Sequence, residues 1–523
     1  MNKSAYFSIL LFLFAGITYG GNLFVSTSGN DNNTGQSLDQ AFATIQHAAN
    51  EAFAGDTVWV DDGIYNESIT ITNSGFEGLW ITFRAINQYK AVVKNSWSDC
   101  FRLDADYIVI DGFTLTTSAM YGSGVAGVQG RHHHTVINCY IHDCGQSGIQ
   151  SWGNDYLTFE NNIITRNGWL MPHAGSGISI YGGFLSDGEP GVRNIVRNNI
   201  SFANDNGPNT AKTDGNGIII DDLMCSQDWH DPEICIPNAY NDVHTLVEGN
   251  LCFDNGGRGI QIYLSVNVTV RNNTTFQNST RQDESTWRGE IGVSNSDSLT
   301  IVNNIAVCNT NLEAPISQHN SAYLLAQYGQ HATKSIIFKN NLAYNIANPS
   351  DESFRNLVGS SNVVSSDNLL ATDPLFIYAS ADSTLANFRL SPESPAIDHG
   401  TLAYGYYPFD LDGNDRVMGA GIDLGCYESS GITGMGTPII RKGNFELYPN
   451  PSDLLLTLRN NSDDFFGNIS AQIIDATGKT VLQWNFEDGP INHINISALR
   501  PGVYFLQAHN QESVLLDAKF VKM

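Results

Sequence analysis

The sequence predicts an all-β solenoid, in which short strands wind into coils and the coils stack on one another. One sequence pattern recurs between about residues 104 and 345, for example as LTIVNNIAVCNT and SIIFKNNLAYNI. Each copy contains a strand with period-two alternation, an Asn-rich turn, a second strand, a Gly and a third apolar strand. Strand-only repeats of about 20 residues cannot bury their own apolar face, so they bury it jointly by stacking.

One Asn falls at the same point of successive coils, in the turn between the first and second strands. Asn tolerates left-handed backbone geometry, and its amide bonds to neighbouring backbone. Stacked at one turn, these amides are expected to hydrogen-bond from coil to coil, which is a structural role. The residues at this point are Asn138, Asn162, Asn199, Asn250, Asn273, Asn304 and Asn341.

Both ends of the repeat region carry further patterns. Residues 22–67 begin with a strand and a G-x-D turn, continue with ATIQ in a predicted helix, and end with GDTVWV and GIYNE. Residues 373–428 contain SPAIDHG and DLDGNDRVMGAGIDLGCYE. Together with the repeats, these elements resemble secreted proteins of the pectate-lyase-like superfamily over roughly residues 22–428. The resemblance implies a right-handed parallel β-helix whose open end is capped by the predicted helix.

The end of the chain reads as a separate module of short strands, with turn signals at Asn450-Pro451 and Thr477-Gly478. The pieces YPNP, GK, LRPGVY and KFVK resemble the C-terminal sorting domain of the type IX secretion system. That resemblance implies a small antiparallel β-sandwich that directs passage across an outer membrane by the type IX machinery. The alternative is a small sandwich that binds carbohydrate.

The chain has 523 residues, too many for one ordinary core. Its first residues, MNKSAYFSILLFLFAGITYG, have the early Lys, short apolar stretch and small residues of a signal peptide. This stretch is shorter than the roughly 20 apolar residues of a membrane span, and no later segment is long enough. We expect an exported monomer, secreted or at the cell surface. Its predicted parts are a signal peptide (1–20), the β-helix (21–428), a linker (429–441) and the sorting domain (442–523).

The formal net charge is −27, so the surface repels nucleic acid phosphates and anionic membranes. A nucleic-acid partner is therefore not expected. The same charge repels an anionic polysaccharide unless a bound cation or a local basic group intervenes.

Eight cysteines meet an oxidising environment in an exported chain, so disulfides are expected in preference to a zinc site. Cys225 and Cys235 flank a polar excursion and are near enough in sequence to close it. Cys139 and Cys144 are also near enough to pair. The sequence leaves the connectivity open.

The third strands of the coils are expected to form one long parallel sheet, because each follows a Gly-Ile step. Alternation points these Ile side chains inward and sets an outward row of aromatic residues around Asp221, with Glu290 also outward. The inward residues are Ile149, Ile178, Ile218, Ile260 and Ile291. Aromatic rings with a polar handle suit sugar rings, and long insertions flank the sheet, which together predict a substrate groove. The predicted substrate-binding residues are Trp152, Tyr181, Tyr263, His173 and Gln261. The alternative is an aromatic row that only covers the sheet.

Four carboxylates lie near this row. Asp214 precedes the third strand of its coil, Asp221 ends it and Asp222 begins an insertion. Asp254 lies in the following coil, close to the Asp214 turn at a stacking distance of about 4.8 Å. Such oxygen-rich clusters suit calcium, so these four residues are the predicted metal ligands. Asp214 and Asp254 fit ordinary turn chemistry equally well.

A lyase that cleaves uronate chains needs a positive group on the C5 carboxylate and a base for the C5 proton. Calcium does the first as a Lewis acid. By resemblance, Lys or Arg is the base in many pectate-lyase-like enzymes, and here Arg258 is the best-placed candidate, with Lys212 behind it. Arg258 alternatively forms a salt bridge to Asp221 or Glu290. The family nine pectate lyases place their catalytic Lys a few residues after an Asp-Gly, where this chain has residues 218–220, so the base stays open.

We therefore predict a polysaccharide lyase that cleaves an acidic polysaccharide by calcium-assisted β-elimination. The predicted catalytic residues are Arg258, Lys212, Asp221 and Glu290. One alternative is an inverting glycoside hydrolase, in which Asp221 works with Glu290 or Asp214 as the paired carboxylates. The other is a surface protein that binds polysaccharide without cutting it.

Overall fold

A computed structural model was analysed, and nearly all of the predicted signal peptide lies outside the residues it describes. The structure describes residues 20–171, 175–207, 214–227, 231, 233–237, 239–280, 289–310, 321–328, 331–383, 386–429, 445–448, 455–460, 468–475, 479–487, 491–500, 502–509 and 514–522.

Most of the described chain is a stack of coils whose strands pair in parallel with those of the coils before and after. In chain order the strands are β1 (Asn22–Val25), β2 (Thr57–Val60), β3 (Gly63–Tyr65), β4 (Ile69–Ile71), β5 (Ile81–Ala85), β6 (Ala91–Asn95), β7 (Phe101–Leu103), β8 (Ile108–Asp111), β9 (Thr114–Thr117), β10 (Val125–Gly127), β11 (His132–Ile137), β12 (Tyr140–His142), β13 (Ile149–Glu160), β14 (Ile163–Thr165), β15 (Ile178–Gly183), β16 (Gly191–Arg197), β17 (Ile200–Phe202), β18 (Ile218–Asp221), β19 (Val243–Glu248), β20 (Leu251–Phe253), β21 (Ile260–Tyr263), β22 (Val266–Arg271), β23 (Thr274–Phe276), β24 (Ile291–Ser294), β25 (Asp297–Val302), β26 (Ile305–Cys308), β27 (Tyr323–Ala326), β28 (Lys334–Lys339), β29 (Leu342–Asn345), β30 (Phe354–Asn356) and β31 (Val363–Ser366).

These strands form three long faces, which we call sheets A, B and C. From β2 onward the strands enter sheets A, B and C in turn, and β13 bends so that its first half lies in C and its second half in A. Sheet C contains the third strands predicted from the sequence. All five Ile residues predicted to point inward are fully buried in one core that runs along the stack.

The Asn ladder is present at the corner between sheets A and B. The amide of Asn199, for example, donates to Asn250 at 3.0 Å, and Asn250 donates to Asn273 at 2.9 Å. The ladder extends to Asn368, one coil beyond the prediction. Asn138 was wrongly included, because it occupies the left-handed position one residue earlier (φ 55°), and Cys139 stands at the ladder position.

Helix α1 (Ile45–Glu51) covers the core at the N-terminal end, as predicted. Thr44 caps it by accepting a hydrogen bond from the backbone of His47, and its buried face is Ile45, Ala48 and Ala49. The carboxylate of Glu67 accepts from the backbone N–H groups of Ile45 and Gln46, which the first turn of a helix leaves without intrahelical partners. Short 3₁₀ turns are found at Leu38–Gln40, Ala239–Asp242 and Ser360–Asn362.

After the last coil, β32 (Phe376–Tyr378) and β33 (Asn387–Leu390) pair in antiparallel, and the chain then returns along the outside of the A–B corner. Asn303 donates to the backbone of Thr401, and Asn340 donates to that of His399. Arg416 is fully buried in this returning segment and bonds to Glu428, one of the two partners that the sequence suggests for it.

The cysteines divide into one bonded pair and six thiols. Cys225 and Cys235 form the predicted disulfide. Cys139 and Cys144 do not pair, because both side chains point into the core from successive turns of one coil and bond to backbone carbonyls there. The other thiols, Cys100, Cys252, Cys308 and Cys426, are also buried.

The C-terminal strands are antiparallel, as predicted for this module. They form one sheet with the order β34-β35-β38 and another with the order β37-β36-β39-β40. Their bounds are β34 (Phe445–Tyr448), β35 (Leu455–Asn460), β36 (Asn468–Asp475), β37 (Thr480–Glu487), β38 (Ile491–Asn495), β39 (Gly502–His509) and β40 (Val514–Lys522). In the described ranges, no helix has the length and apolar character needed to span a membrane.

Candidate active site

The outward row of sheet C is in register across four coils. Trp152 pairs with Tyr181, Tyr181 with Asp221, and Asp221 with Tyr263. The rings of Trp152 and Tyr181 meet edge to face with centroids 5.3 Å apart. All four residues are at least partly exposed, so one carboxylate lies among three aromatic side chains on an open face.

Asp221 is the carboxylate of this row, and its surroundings disfavour its ionised form. Burial of its carboxylate, followed by the negative charges of Asp214 and Asp222, raises its pKa well above the ordinary value of 3.8. No positive side chain is among the groups that influence it. Asp214 and Asp221 are thus brought near each other, and the charge of Asp214 also acts on Arg258.

Asp222 has a different role from the predicted metal ligand. Its backbone is left-handed (φ 52°), and its side chain accepts hydrogen bonds from the backbone N–H groups of Ser226 and Gln227 at 2.8 and 3.0 Å. The Ser226 hydroxyl donates to the same carboxylate at 2.8 Å. Asp222 therefore closes the turn that starts the insertion. Its carboxylate is satisfied by these three hydrogen bonds, whereas the sequence predicts a cation as its partner.

Asp254 also lies apart from Asp221. It sits at a left-handed position (φ 53°) in the turn from sheet B to sheet C, where burial and the charge of Asp205 raise its pKa to about 6. Across the described ranges, no group of three or more His, Cys, Asp and Glu side chains is placed to hold a metal ion. By this criterion the four predicted ligands are not one metal cluster; Asp214 and Asp222 act on Asp221, while Asp254 is influenced by Asp205.

Arg258 reaches this face from the turn that precedes β21. Its backbone N–H donates to Asn216 of the previous coil at 2.8 Å. Its side chain lies across Gly292 in the next coil, where a Cβ would come within 2.5 Å of Arg258 Cδ and 2.6 Å of Nε. Arg258 is more than nine-tenths buried, and its Nε has no hydrogen-bond partner. Burial lowers its pKa to about 10, although Tyr328 and Asp214 oppose the shift.

Gln261 lies beside this arginine, because it pairs in register with Gly292. It is more than nine-tenths buried, and its Oε1 accepts no hydrogen bond. An unused acceptor and the unused Nε of Arg258 are thus presented on the same stretch of the sheet. Buried polar atoms without partners are uncommon in folded proteins and point to a ligand or an ion that completes them.

Glu290 was wrongly placed in the outward row. It is fully buried, and its carboxylate accepts from the backbone N–H of Asn278 at 2.8 Å and from its side chain. Glu290 stands in the column of Gly217 and Gly259, where a Cβ points at the Asn side chains of a second, inner ladder. Alternation does not hold in the turn before the strand, so Glu290 ends that ladder and does not face outward.

The insertion after β18 folds back over earlier coils. Its disulfide joins Cys225 to Cys235, and Ile234 next to it lies against Gly130 and Gly153. Gly153 follows Trp152 directly, so this arm borders the aromatic row on the side toward sheet A. Both glycines have left-handed φ values (80° and 60°), which other residues seldom adopt.

The sequence analysis missed Tyr328, which follows β27. Its backbone N–H donates to Asn295 at 2.6 Å, and its electrostatic partners are Arg258 and Tyr263. The coil that carries it reads SAYLLAQYG and lacks the Gly-Ile step that marks the other third strands. A search for any third strand would have found it. Two other predicted site residues, His173 and Lys212, lie outside the described residues.

Two family models match the chain. Residues 23–171 match the Pel9A-like right-handed β-helix region, and residues 446–523 match the secretion system C-terminal sorting domain. The chain therefore has a parallel β-helix whose first coils match the Pel9A-like region, followed by a type IX sorting domain. The sorting domain directs export across the outer membrane, so this β-helix protein is secreted or held at the cell surface.

Relatives and solved structures are similar over different parts of the β-helix protein. The protein YwoF of Bacillus subtilis (strain 168), described as uncharacterized, is 38% identical over 74 residues, which are 14% of this chain. The chain spans only 16% of the length of that curated relative. Pectate lyase Pel9A is 18% identical with a TM-score of 0.47, over 79% of this chain and 97% of that structure. The Azotobacter vinelandii mannuronan C-5 epimerase AlgE4 A-module is 13% identical with a TM-score of 0.41, over 60% and 86%.

Proposed function

We propose that this protein is a polysaccharide lyase that cleaves a uronate-containing polysaccharide by β-elimination on the outer face of sheet C. One observation carries the proposal. The guanidinium of Arg258 lies on that face with its Nε unused and its pKa lowered to about 10 by burial. A desolvated, incompletely bonded arginine is suited to a carboxylate or to an acidified C–H proton.

The proposed step is a β-elimination that needs no oxidant, reductant or co-reactant. Arg258 takes the C5 proton, the electrons of that C–H bond form the C4–C5 double bond, and the C4–O4 bond breaks. The leaving oxygen takes up a proton from solvent. Gln261 Oε1 accepts a hydrogen bond from a hydroxyl of the sugar that Arg258 contacts, while Trp152, Tyr181 and Tyr263 stack against neighbouring rings.

A divalent cation is the natural partner of Asp214 and Asp221. The two carboxylates are close, and their described surroundings hold no positive side chain for Asp221. The pair supplies fewer oxygens than the six to eight that calcium takes, so a uronate carboxylate and water would complete the set. When bound, calcium would withdraw charge from the uronate carboxylate and make the C5 proton more acidic.

Asp221 supports a second candidate, an inverting glycoside hydrolase. A carboxyl group whose pKa is raised well above 3.8 stays protonated at higher pH and suits a general acid, with Asp214 as the neighbouring carboxyl group. Glu290 is no longer available for that partnership because the inner ladder holds it.

The test is the ultraviolet absorbance of unsaturated uronate on a panel of uronate polysaccharides, with calcium and with chelator. A lyase gives an absorbance rise that chelator suppresses. New reducing ends without that rise would establish the hydrolase, and neither signal on a broad panel would leave a binding protein.

The pH profile tests the role of Arg258. A base must be deprotonated to act, so lyase activity should climb with pH toward about 10, where the Arg258 pKa lies. An activity that is flat between about pH 7 and 10 would instead make Arg258 a clamp for the substrate carboxylate.

A further inference from the structure

We propose that three exposed aromatic residues, Trp97, Tyr121 and Trp169, form a binding surface for an acidic polysaccharide along the corner between sheets B and C. We call these three residues the aromatic ridge. The inference rests on the proposed function for its substrate class, but it concerns binding at coils that precede most of the candidate site.

The members of the ridge occupy the same corner of different coils. Trp97 lies between β6 and β7, Tyr121 between β9 and β10, and Trp169 between β14 and β15. Each connects a strand of sheet B to a strand of sheet C. Coils stack at about 4.8 Å, so the three residues span about 15 Å along the helix axis, enough for several linked sugar rings.

Direct contacts hold these corner loops together. The Thr117 hydroxyl of one coil donates to the Ser98 backbone at 2.8 Å. In the next steps Gly145 N–H donates to Thr117 O at 3.0 Å, and Leu170 N–H donates to Gly145 O at 3.2 Å. The ridge is therefore one continuous backbone surface and not three independent loops.

The exposure of the rings is unusual for side chains of this size. Trp97, Tyr121 and Trp169 are 62%, 70% and 44% exposed, although large aromatic residues ordinarily bury most of their surface. Trp97 and Tyr121 lie on successive coils, and Trp169 lies two coils further along the axis. Separate rings in a row suit the CH faces of successive sugars better than an apolar protein surface.

A positive charge beside the ridge indicates that the bound sugar is acidic. Arg102 points outward from β7, the strand that follows Trp97, and its side chain is 50% exposed. Its carboxylate neighbour Asp99 is 3.8 Å away, and the next residue in register is the small Ala126. In a chain of net charge −27, this arginine offers a contact for one carboxylate on a chain stacked along the ridge.

The experiment measures binding by full-length protein in an Arg258→Ala background, so that turnover does not consume the polymer. Affinity electrophoresis in gels containing polygalacturonate or alginate compares the parent with the triple variant Trp97→Ala, Tyr121→Ala, Trp169→Ala. Phe76→Ala is the matched control, because Phe76 is an aromatic residue of similar exposure (63%) that lies in the connection from sheet C to sheet A.

The triple variant should lose at least about tenfold in affinity for the polymer, as stacking of several rings predicts, with Arg102→Gln losing less and Phe76→Ala nothing. If the triple variant binds the polymer as tightly as the parent, or if the parent binds no uronate polymer, the proposal that the aromatic ridge binds polysaccharide is wrong. Self-association that depends on the ridge, seen by light scattering without polymer binding, would assign it to a protein contact and also overturn it.

The outcomes for the ridge and for the lyase can be told apart. With Arg258 present, ridge variants should raise KM on long polymer while leaving kcat and the cleavage of short oligosaccharides unchanged. Ridge-dependent binding without any unsaturated product would reject the lyase and keep the ridge.

Discussion

The Asn ladder and the outer face of sheet C are both columns of polar side chains on stacked coils, yet their hydrogen bonding differs. In the ladder, Asn250 gives its amide protons to Val196 and Asn273 and accepts from Asn199. On the outer face, Arg258 and Gln261 are as deeply buried as many core residues, but each keeps a polar atom without a partner. The comparison teaches that stacking satisfies the amides of the Asn ladder, while Arg258 and Gln261 keep atoms that a ligand can satisfy.

The largest expected effect comes from removing the Arg258 side chain, whose Nε lacks a hydrogen-bond partner. Arg258→Ala should lower turnover by about 10²–10⁴-fold, because the proposed base is lost. The melting temperature should change little, since no described bond of the Nε is broken. Arg355→Ala is the control, because Arg355 is a partly exposed arginine on the same sheet that pairs with Asp351. Equal activity of Arg258→Ala and the parent would remove Arg258 from the site.

A subtler change moves the arginine without deleting it. Gly292→Ala places a Cβ 2.5 Å from Arg258 Cδ, so the side chain must shift from its position across the strand. Activity should fall by about 10²-fold, as a misplacement of about 1 Å can cost. Gly188→Ala, a glycine with open space around it, should have no effect. Full activity in Gly292→Ala would show that the position of the guanidinium is not critical.

Disrupting the Asn ladder should lower the stability of the fold and leave activity unchanged, which is the opposite of the effect expected for Arg258→Ala. Asn250→Ala leaves buried donors and acceptors of the neighbouring coils unpaired, which costs about 1–3 kcal/mol for each group. Thermal unfolding should therefore shift to a clearly lower temperature, while kcat per folded molecule stays the same. Asn348→Ala, at an exposed Asn, serves as control. A loss of kcat in folded Asn250→Ala would join the ladder to the active site.

The smallest expected effect concerns Glu428, a buried acid in the returning segment. Burial and the charge of Asp423 raise its pKa from the ordinary 4.5 to about 9, against the opposing charge of Arg416. The folded state then binds more protons than the unfolded state between about pH 4.5 and 9, so stability falls as pH rises through this window. Glu428→Gln should flatten that part of the melting-temperature profile. An unchanged slope would place the titration elsewhere.

The sequence predicted what repeats along the chain. The inward Ile column, the Asn ladder, the capping helix and the register of Trp152, Tyr181, Asp221 and Tyr263 follow from strand alternation and a fixed coil length. The match to a known β-helix region ends at residue 171, before the coils that carry Asp221 and Arg258. The reaction therefore could not be inherited from that match.

The errors occurred in the turns, where alternation fails. Glu290 belongs to the inner ladder because it stands one residue before its strand, in a column that Gly148, Gly177, Gly217 and Gly259 occupy in the four preceding coils. Asp222 caps a turn because its left-handed backbone directs its carboxylate toward the backbone N–H groups of Ser226 and Gln227. The path of Arg258 across Gly292 depends on the absence of a side chain in another coil, which no local pattern reveals.

The buried cysteines set a requirement on the timing of assembly. An exported chain with eight thiols can in principle close 105 complete pairings, while the folded protein keeps one bond and six thiols. Five of those six thiols are buried in the core of the coils and Cys426 is buried in the returning segment, and burial raises the pKa of Cys139 and of Cys144 to about 12, so little reactive thiolate forms there. The coils must therefore close faster than the compartment oxidises them, and a slow-folding variant should accumulate as mispaired disulfide isomers.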